Sequence, residues 1–114
     1  MALAITITDI DGGGDNIYVF GTLAASGNYS TGGDALDFTT VASQIGASQA
    51  PVQVWAGGTT GDSYSFVRAG SPTMANGKLK INTASNTELG SGAYPSRITS
   101  DANIQFEAVF NKLI

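Results

Sequence analysis

The residues that could do chemistry are few, and acidic residues are the most numerous among them. Of the 114 residues, nine are Asp or Glu and five are Lys or Arg, and the chain has neither histidine nor cysteine. The commonest general base, the commonest metal-binding side chain and the thiolate nucleophile are therefore missing. Paired carboxylates could still cleave a glycoside, but the sequence places no two of them at the separation that reaction needs. We expect a protein that is not an enzyme and that uses no cofactor.

One acidic loop has some features of a calcium site. Residues 9 to 16 read Asp-Ile-Asp-Gly-Gly-Gly-Asp-Asn, and alternating carboxylates with glycine are typical of oxygen-ligand loops that bind calcium. Gly13, however, stands where a third oxygen ligand is usual, and Phe20 stands where a bidentate glutamate closes such loops. We assign no metal site, and a plain acidic turn is the main interpretation. The calcium candidates, if that interpretation is wrong, are Asp9, Asp11 and Asp15.

Glycine pairs and basic residues indicate no phosphate or nucleic-acid site. Gly32-Gly33 and Gly57-Gly58 lack the strand-to-helix context and the following lysine that a phosphate-binding loop requires. The basic residues are scattered and the net charge is −4, whereas nucleic-acid binding needs clustered Lys and Arg. No apolar run approaches the roughly 20 residues of a membrane-spanning helix. We expect neither nucleic acid nor a membrane as a partner.

The composition predicts one folded domain, residues 1–114, with a neutral polar surface. Hydrophobic residues make up 42% of the chain, which is too many for a disordered protein of small net charge. Charged residues make up 12%, about half the usual globular share. Met1 to Ile5 carry no basic group ahead of the apolar residues, unlike a secretion signal. We expect synthesis in a cytoplasm without export by the ordinary route.

Alternation of apolar and polar residues predicts strands, and glycines interrupt nearly every window of helical length. Leu3, Ile5 and Ile7 share one face of a first strand, and residues 1–10 form either an N-terminal arm or an edge strand. Residues 17 to 23 are apolar on both faces, which predicts a strand in a sheet interior or under a partner subunit.

Later segments repeat the strand pattern. Residues 51 to 55 and 63 to 68 flank a glycine-rich tip and predict a hairpin, and residues 78 to 81 alternate lysines with apolar residues. Residues 104 to 110 alternate clearly, with Val109 as the exception. One short helical turn is expected between Thr39 and Ala47. The fold class is therefore all-β, an antiparallel sandwich or small barrel of about six to seven short strands with long glycine-rich loops.

Apolar and aromatic residues are the candidates for contact with a partner. We expect an interface to draw on Leu3, Ile5, Ile7, Tyr18, Phe20, Tyr29 and Trp55. An alternative is a carbohydrate-binding module or adhesin, in which Trp55 and tyrosines stack against sugar rings. Packing in the core or at a subunit contact is the other interpretation of those aromatics.

A short segment carries a resemblance to a known class of proteins. Residues 29 to 37, Tyr-Ser-Thr-Gly-Gly-Asp-Ala-Leu-Asp, resemble the Tyr-x-Thr-Gly-Gly-Asp-x-Leu segment of small virion structural proteins of tailed bacteriophages. An early Val-Phe-Gly strand, the Asn-Gly-Lys-Leu-Lys-Ile segment, residues 88 to 94 and the closing Phe-Glu-Ala-Val-Phe strand accompany it. Together these segments cover most of residues 17 to 112.

The resemblance implies a β-rich protein present in many copies on a phage head, as a capsid decoration or cement protein on the capsid surface. The implied partner is the major capsid protein, and a homo-oligomer is expected, with a trimer favoured. A tail or neck structural protein is the alternative within the virion. The resemblance implies no catalytic residue.

Overall fold

The computed structural model describes residues 3 to 112, which form strands joined by turns, loops and short helical segments. Within that range lie nine strands and three helical segments. The strands, numbered in chain order, are β1 Leu3–Asp11, β2 Asn16–Ala25, β3 Asn28–Tyr29, β4 Asp34–Ala35, β5 Gln53–Gly57, β6 Ser63–Val67, β7 Lys78–Asn82, β8 Gly92–Ala93 and β9 Ile104–Asn111. The helical segments are a 3-10 helix at Phe38–Val41, α1 at Ala42–Ile45 and α2 at Ser96–Thr99.

Seven of the strands in the described range form one antiparallel sheet, which curves into a half-barrel. Their order is β1-β2-β9-β5-β6-β7-β4, and β3 pairs with β8 in a separate two-stranded ribbon. The prediction of a small all-β fold is confirmed. The predicted hairpin is the β5-β6 pair, and the predicted helical turn is the 3-10 helix followed by α1.

The strand with apolar residues on both faces, β2, lies in the interior of the sheet between β1 and β9, which is one of the two positions predicted for it. β9 in turn lies between β2 and β5. On one face of β9 the side chains are buried in the core, which matches the predicted alternation; they are Ile104, Phe106, Ala108 and Phe110. We call this side of the sheet the inner face.

The 3-10 helix covers part of the inner face. The ring of Phe38 is fully buried and packs edge-to-face against Phe106 and Phe110, with ring centroids 5.9 and 5.2 Å apart. Asp37 begins this turn, because its carboxylate accepts a hydrogen bond of 2.9 Å from the amide of Thr39. The core thus lies between the sheet and the segment that follows β4.

β1 is the edge strand of the chain's own sheet from Leu3 onward, which is one of the two alternatives for residues 1–10. Met1 and Ala2 lie outside the described residues. β1 approaches β2 closely because residue 21 is glycine: a Cβ there would lie 2.0 Å from the carbonyl oxygen of Thr6. A β-bulge shifts the register between Ile7 and Asp9, and the ladder with β2 resumes beyond it with Asp9 opposite Phe20.

Candidate binding face

The side of the large sheet that faces away from the core, which we call the outer face, carries aromatic residues in the centre of the sheet. Strand register places Phe20, Glu107 and Trp55 side by side on β2, β9 and β5. The adjacent row is formed by Tyr18 and Val109, followed by Gln53 on β5. Neighbouring strands lie about 4.8 Å apart, so Phe20 and Trp55 stand about 10 Å from each other across Glu107.

The aromatic side chains of these two rows are exposed to different degrees. Trp55 is 55% exposed and Tyr18 is 38% exposed, while Phe20 is half-buried. Val109 lies between Tyr18 and Gln53 and is only 9% exposed, because its neighbours cover it. Tyr18, Phe20, Trp55 and Val109 form what we call the aromatic patch.

A shallow groove of about 350 Å³ lies beside Trp55, and it is lined by Phe20, Trp55, Ala56, Gly57, Gln105, Phe106 and Glu107. Gly57 contributes to its openness, since a Cβ added at that position would meet no atom within 4 Å. The groove thus has an aromatic side chain on each side, with a carboxylate and a primary amide among its lining groups. Such a surface can contact an apolar side chain or stack against the face of a sugar ring.

Charge changes sign along the central row of the outer face. The strand register orders this row as Asp9, Phe20, Glu107, Trp55, Ser65 and Lys80. Asp9 therefore lies at the β1 side of the aromatic patch, Glu107 lies within it between Phe20 and Trp55, and Lys80 lies at the β7 side. A partner that docks here would meet aromatic rings on either side of a central carboxylate, with charges of opposite sign at the two ends of the row.

The loop that contains residues 29 to 37 uses its polar groups within the chain. The hydroxyl of Tyr29 donates a 2.8 Å hydrogen bond to Glu88 and accepts one of 3.1 Å from the amide of Ile81. The same Glu88 oxygen accepts a 2.6 Å hydrogen bond from the amide of Gly32, and this bond, together with that from Tyr29, lowers the pKa of Glu88. Burial raises the pKa of Tyr29 to about 12.

A second pair anchors the same loop. The hydroxyl of Tyr94 donates a short hydrogen bond to Asp34, whose other carboxylate oxygen accepts a 3.1 Å bond from the amide of Ser30. Burial and this hydrogen bond raise the pKa of Tyr94. Gly33 has a φ of 113°, and a Cβ there would lie 3.0 Å from the carbonyl oxygen of Leu79, so only glycine fits without strain. The segment therefore stabilises the fold through hydrogen bonds to other parts of the chain.

An ion pair connects the β5-β6 hairpin to α2. Arg97 donates from Nε and Nη2 to the buried carboxylate of Asp62, at 3.1 and 2.9 Å, and these bonds lower the pKa of Asp62. Thr60 also donates to Asp62, at 2.6 Å. The Tyr64 hydroxyl is buried beside this pair and has no hydrogen-bond partner among the described residues. Burial raises the pKa of that hydroxyl to about 12, and nearby carboxylates add to the shift.

The calcium candidates lie along β1 and in the turn that follows it. Asp9 accepts a hydrogen bond from the amide of Ile10, and Asp11 accepts one of 3.3 Å from Gly13. Asp15 lies before β2 and is exposed. Between residues 3 and 112, no group of three or more carboxylate, histidine or cysteine side chains could hold a metal ion.

The predicted interface residues divide into two groups. Leu3 and Tyr29 are each 1% exposed, so their side chains belong to the chain's own core. Ile5 and Ile7 point to the inner face and are partly buried against that core. Tyr18, Phe20 and Trp55 are the candidates that the structure brings together on a solvent-exposed surface.

Sequence reasoning missed the members of the face that do not look apolar. Glu107, Gln105 and Gly57 line the groove, yet each has the polar or small character expected on a solvent face. One signal was present: Val109 breaks the alternation of β9, and the structure places it in the aromatic patch.

Comparison of the chain with protein-family models, with curated protein sequences and with solved structures finds no match in any of the three. Among residues 3 to 112, the helical segments are too short and too polar to span a bilayer.

Proposed function

We propose that this chain is a non-enzymatic structural protein that docks on the head of a bacteriophage as a decoration protein, through the aromatic patch. The observation that carries the docking surface is the position of Trp55, Tyr18 and Phe20 on one exposed sheet face, away from the core. The phage assignment rests on the resemblance of residues 29 to 37.

Physically, the patch suits a stable protein contact. Interfaces are enriched in Trp and Tyr, which often contribute about 2 kcal/mol or more each when they fill a pocket of the partner. The patch lies on three hydrogen-bonded strands, so little backbone entropy is lost when a partner binds. Many such contacts on one shell would act together, because each bound copy bridges subunits that would otherwise separate.

The test measures occupancy on heads assembled from the major capsid protein of the source phage. Trp55→Ala should weaken binding about thirtyfold or more, as expected for a central aromatic side chain. Val67→Ala is the matched control, because Val67 is 41% exposed on β6, outside the aromatic patch. Full occupancy of W55A, or an equal loss with V67A, would remove the patch from the proposal. Absence of the wild-type protein from purified virions would overturn the function itself.

A second candidate function is carbohydrate binding in the groove beside Trp55. The observation that favours it is the pair of aromatic side chains on either side of the Glu107 carboxylate, with the Gln105 amide also lining the groove. A glycan array probed with wild type and W55A tests it. Binding of a glycan that W55A loses would support this candidate, whereas equal signals from both proteins would count against it.

A further inference from the structure

The free edge of β1 is the strongest unused feature of the fold. In the described range, the backbone of Leu3 to Ile7 pairs only with β2, so the other edge of this segment has unpaired N–H and C=O groups. Its residues are Leu-Ala-Ile-Thr-Ile, with no proline and no charge. Edge strands are usually protected by lysine, proline or a covering segment, because an unprotected edge pairs with other strands.

The partial burial of two side chains on β1 indicates that a further strand could pair with its free edge. Ile5 and Ile7 point to the inner face, yet each is only partly buried, because the sheet ends at their strand. A further strand along this edge would extend the inner face and cover both side chains. The edge thus presents backbone groups and apolar side chains together, as strand-adding interfaces do.

We propose that the occupant of this edge is a second copy of β1, paired antiparallel about a two-fold axis at Ile5. In that register Ile5 faces Ile5 of the other copy, Leu3 faces Ile7, and Ala4 faces Thr6. Every inward-pointing pair is apolar, and the two sheets join into one. Cross-strand pairs of branched residues of this kind stabilise antiparallel sheets.

The acidic residues of β1 favour this arrangement over an in-register parallel pairing. The β-bulge lies between Ile7 and Asp9, so the carboxylates of Asp9 and Asp11 fall outside the five-residue pairing. In-register parallel pairing would place each carboxylate against its own copy, which is unfavourable. The opposite edge of the sheet is β4, only two residues long, so head-to-tail repetition through strand edges lacks a second partner edge.

The expected product is therefore a closed dimer of limited interface area, and not the trimer that the resemblance favours. Five paired residues on each strand bury less than the roughly 1,200 to 2,000 Å² of a typical stable complex. We expect the dimer to dissociate on dilution, which analytical ultracentrifugation of the purified chain can follow without any shell protein. The measurement is thus independent of the proposed role on a phage head.

The decisive variants place like charges opposite each other across the axis. Ala4 and Thr6 are exposed on the outer side of β1, so A4K/T6K and A4E/T6E should both fold. Each should raise the dimer dissociation constant at least tenfold, and an equimolar mixture of the two should form a mixed dimer. S63K/S71K is the control, since Ser63 on β6 and Ser71 in the loop after β6 are exposed, and β6 does not adjoin β1. It should dimerise as the wild type does.

Several outcomes would overturn the pairing. These are a wild-type chain that is monomeric at about 1 mM, a trimeric mass, or a dimer that A4K/T6K leaves intact. A monomer whose shell binding is lost in A4K/T6K would also overturn it, because the edge would then accept a strand of the shell protein. Melting temperatures within about 3 °C of wild type would show that the variants fold.

Discussion

The loop from Tyr29 to Asp34 and the aromatic patch on the outer face use aromatic side chains in opposite ways. In the loop, the hydroxyl of Tyr29 bonds to Glu88 and to the backbone of β7, and Tyr94 bonds to the buried Asp34. On the outer face, the rings of Tyr18 and Trp55 are exposed, and a groove opens beside Trp55. The first set is turned inward and paired, and the second is turned outward.

This difference separates the aromatic residues that stabilise the fold from those that are exposed on its surface. Residues 29 to 37 are the segment on which the proposed phage assignment rests. Within the chain, the buried side chains of this segment hold β3, β7 and the segment around Tyr94 together. The aromatic patch has no distinctive motif, yet it offers a surface that can bind. A shared loop is therefore expected to report a shared fold, and changes on the outer face are expected to alter the partner.

The largest effect is expected when one aromatic residue on each face of the same sheet is replaced by alanine and the losses of stability are compared. Phe110→Ala should lower the free energy of unfolding by about 3 to 5 kcal/mol, because a fully buried ring leaves a cavity. Trp55→Ala should lower it by less than about 1 kcal/mol, since over half of that side chain is already exposed. Urea unfolding measures both. Similar losses would contradict the distinction between the two faces.

A smaller effect should separate two aspartates of one loop. Asp34→Ala leaves the Tyr94 hydroxyl and the Ser30 amide without their acceptor, at a cost of about 1 to 3 kcal/mol. Asp37→Ala removes an exposed turn cap to Thr39 and should cost about 1 kcal/mol or less. Thermal unfolding of the two variants ranks them. A larger loss of stability in Asp37→Ala than in Asp34→Ala would mean that the hydrogen bonds to Asp34 do not stabilise the fold as described above.

The pair between Arg97 and Asp62 should make stability depend on acid. Arg97 lowers the pKa of Asp62, so the folded chain takes up the proton less readily than the unfolded chain. The stabilisation is complete above about pH 4 and is lost as pH falls towards the lowered pKa. Arg97→Met should cost about 1 kcal/mol at pH 7, because Arg97 is half exposed and solvent screens part of the attraction.

Urea unfolding at several pH values checks this dependence. The difference between wild type and R97M should shrink as pH is lowered through the lowered pKa of Asp62, because the carboxyl then takes up a proton in both proteins. Val67→Ala, which lies away from the pair, should show no such trend. A difference that stays constant with pH would contradict the role assigned to the pair.

The smallest expected effect concerns the loop carboxylate. Glu88→Gln keeps an oxygen acceptor for Tyr29 and Gly32 but removes the charge that strengthens both bonds. Amide exchange at Gly32 should become faster, while the melting temperature should change little. Hydrogen exchange followed by NMR measures this. Unchanged protection at Gly32 would mean that the charge of Glu88 is not needed to hold the loop.

The strands were predictable from sequence where one face of the strand is exposed to solvent and the other is buried. β9 alternates because its inner residues meet Phe38 and its outer residues meet solvent, and the same holds for Leu79 and Ile81 on β7. β3, β4 and β8 were missed because a two-residue strand shows no periodicity. The order of strands was also out of reach, since pairing between residues 17 to 23 and residues 104 to 110 depends on contacts across most of the chain.

The candidate site was predictable only in part for a related reason. An aromatic residue reads the same in sequence whether it is packed, as Tyr29 is, or exposed, as Trp55 is. Burial decides between the two, and burial comes from strand order. Tyr18 and Phe20 were identified because β2 is apolar on both faces, whereas Glu107 gained a place only through its register with Phe20 and Trp55.

The central position of β9 has a consequence for the order in which the chain is made. A ribosome releases β1 with β2, and later β5 with β6 and β7, as two groups that have no strand between them until β9 emerges. Until then the inner faces of both groups remain uncovered, and the long loop that β9 closes makes folding slow. A chain that lacks residues 104 to 111 should therefore leave both inner faces uncovered and aggregate.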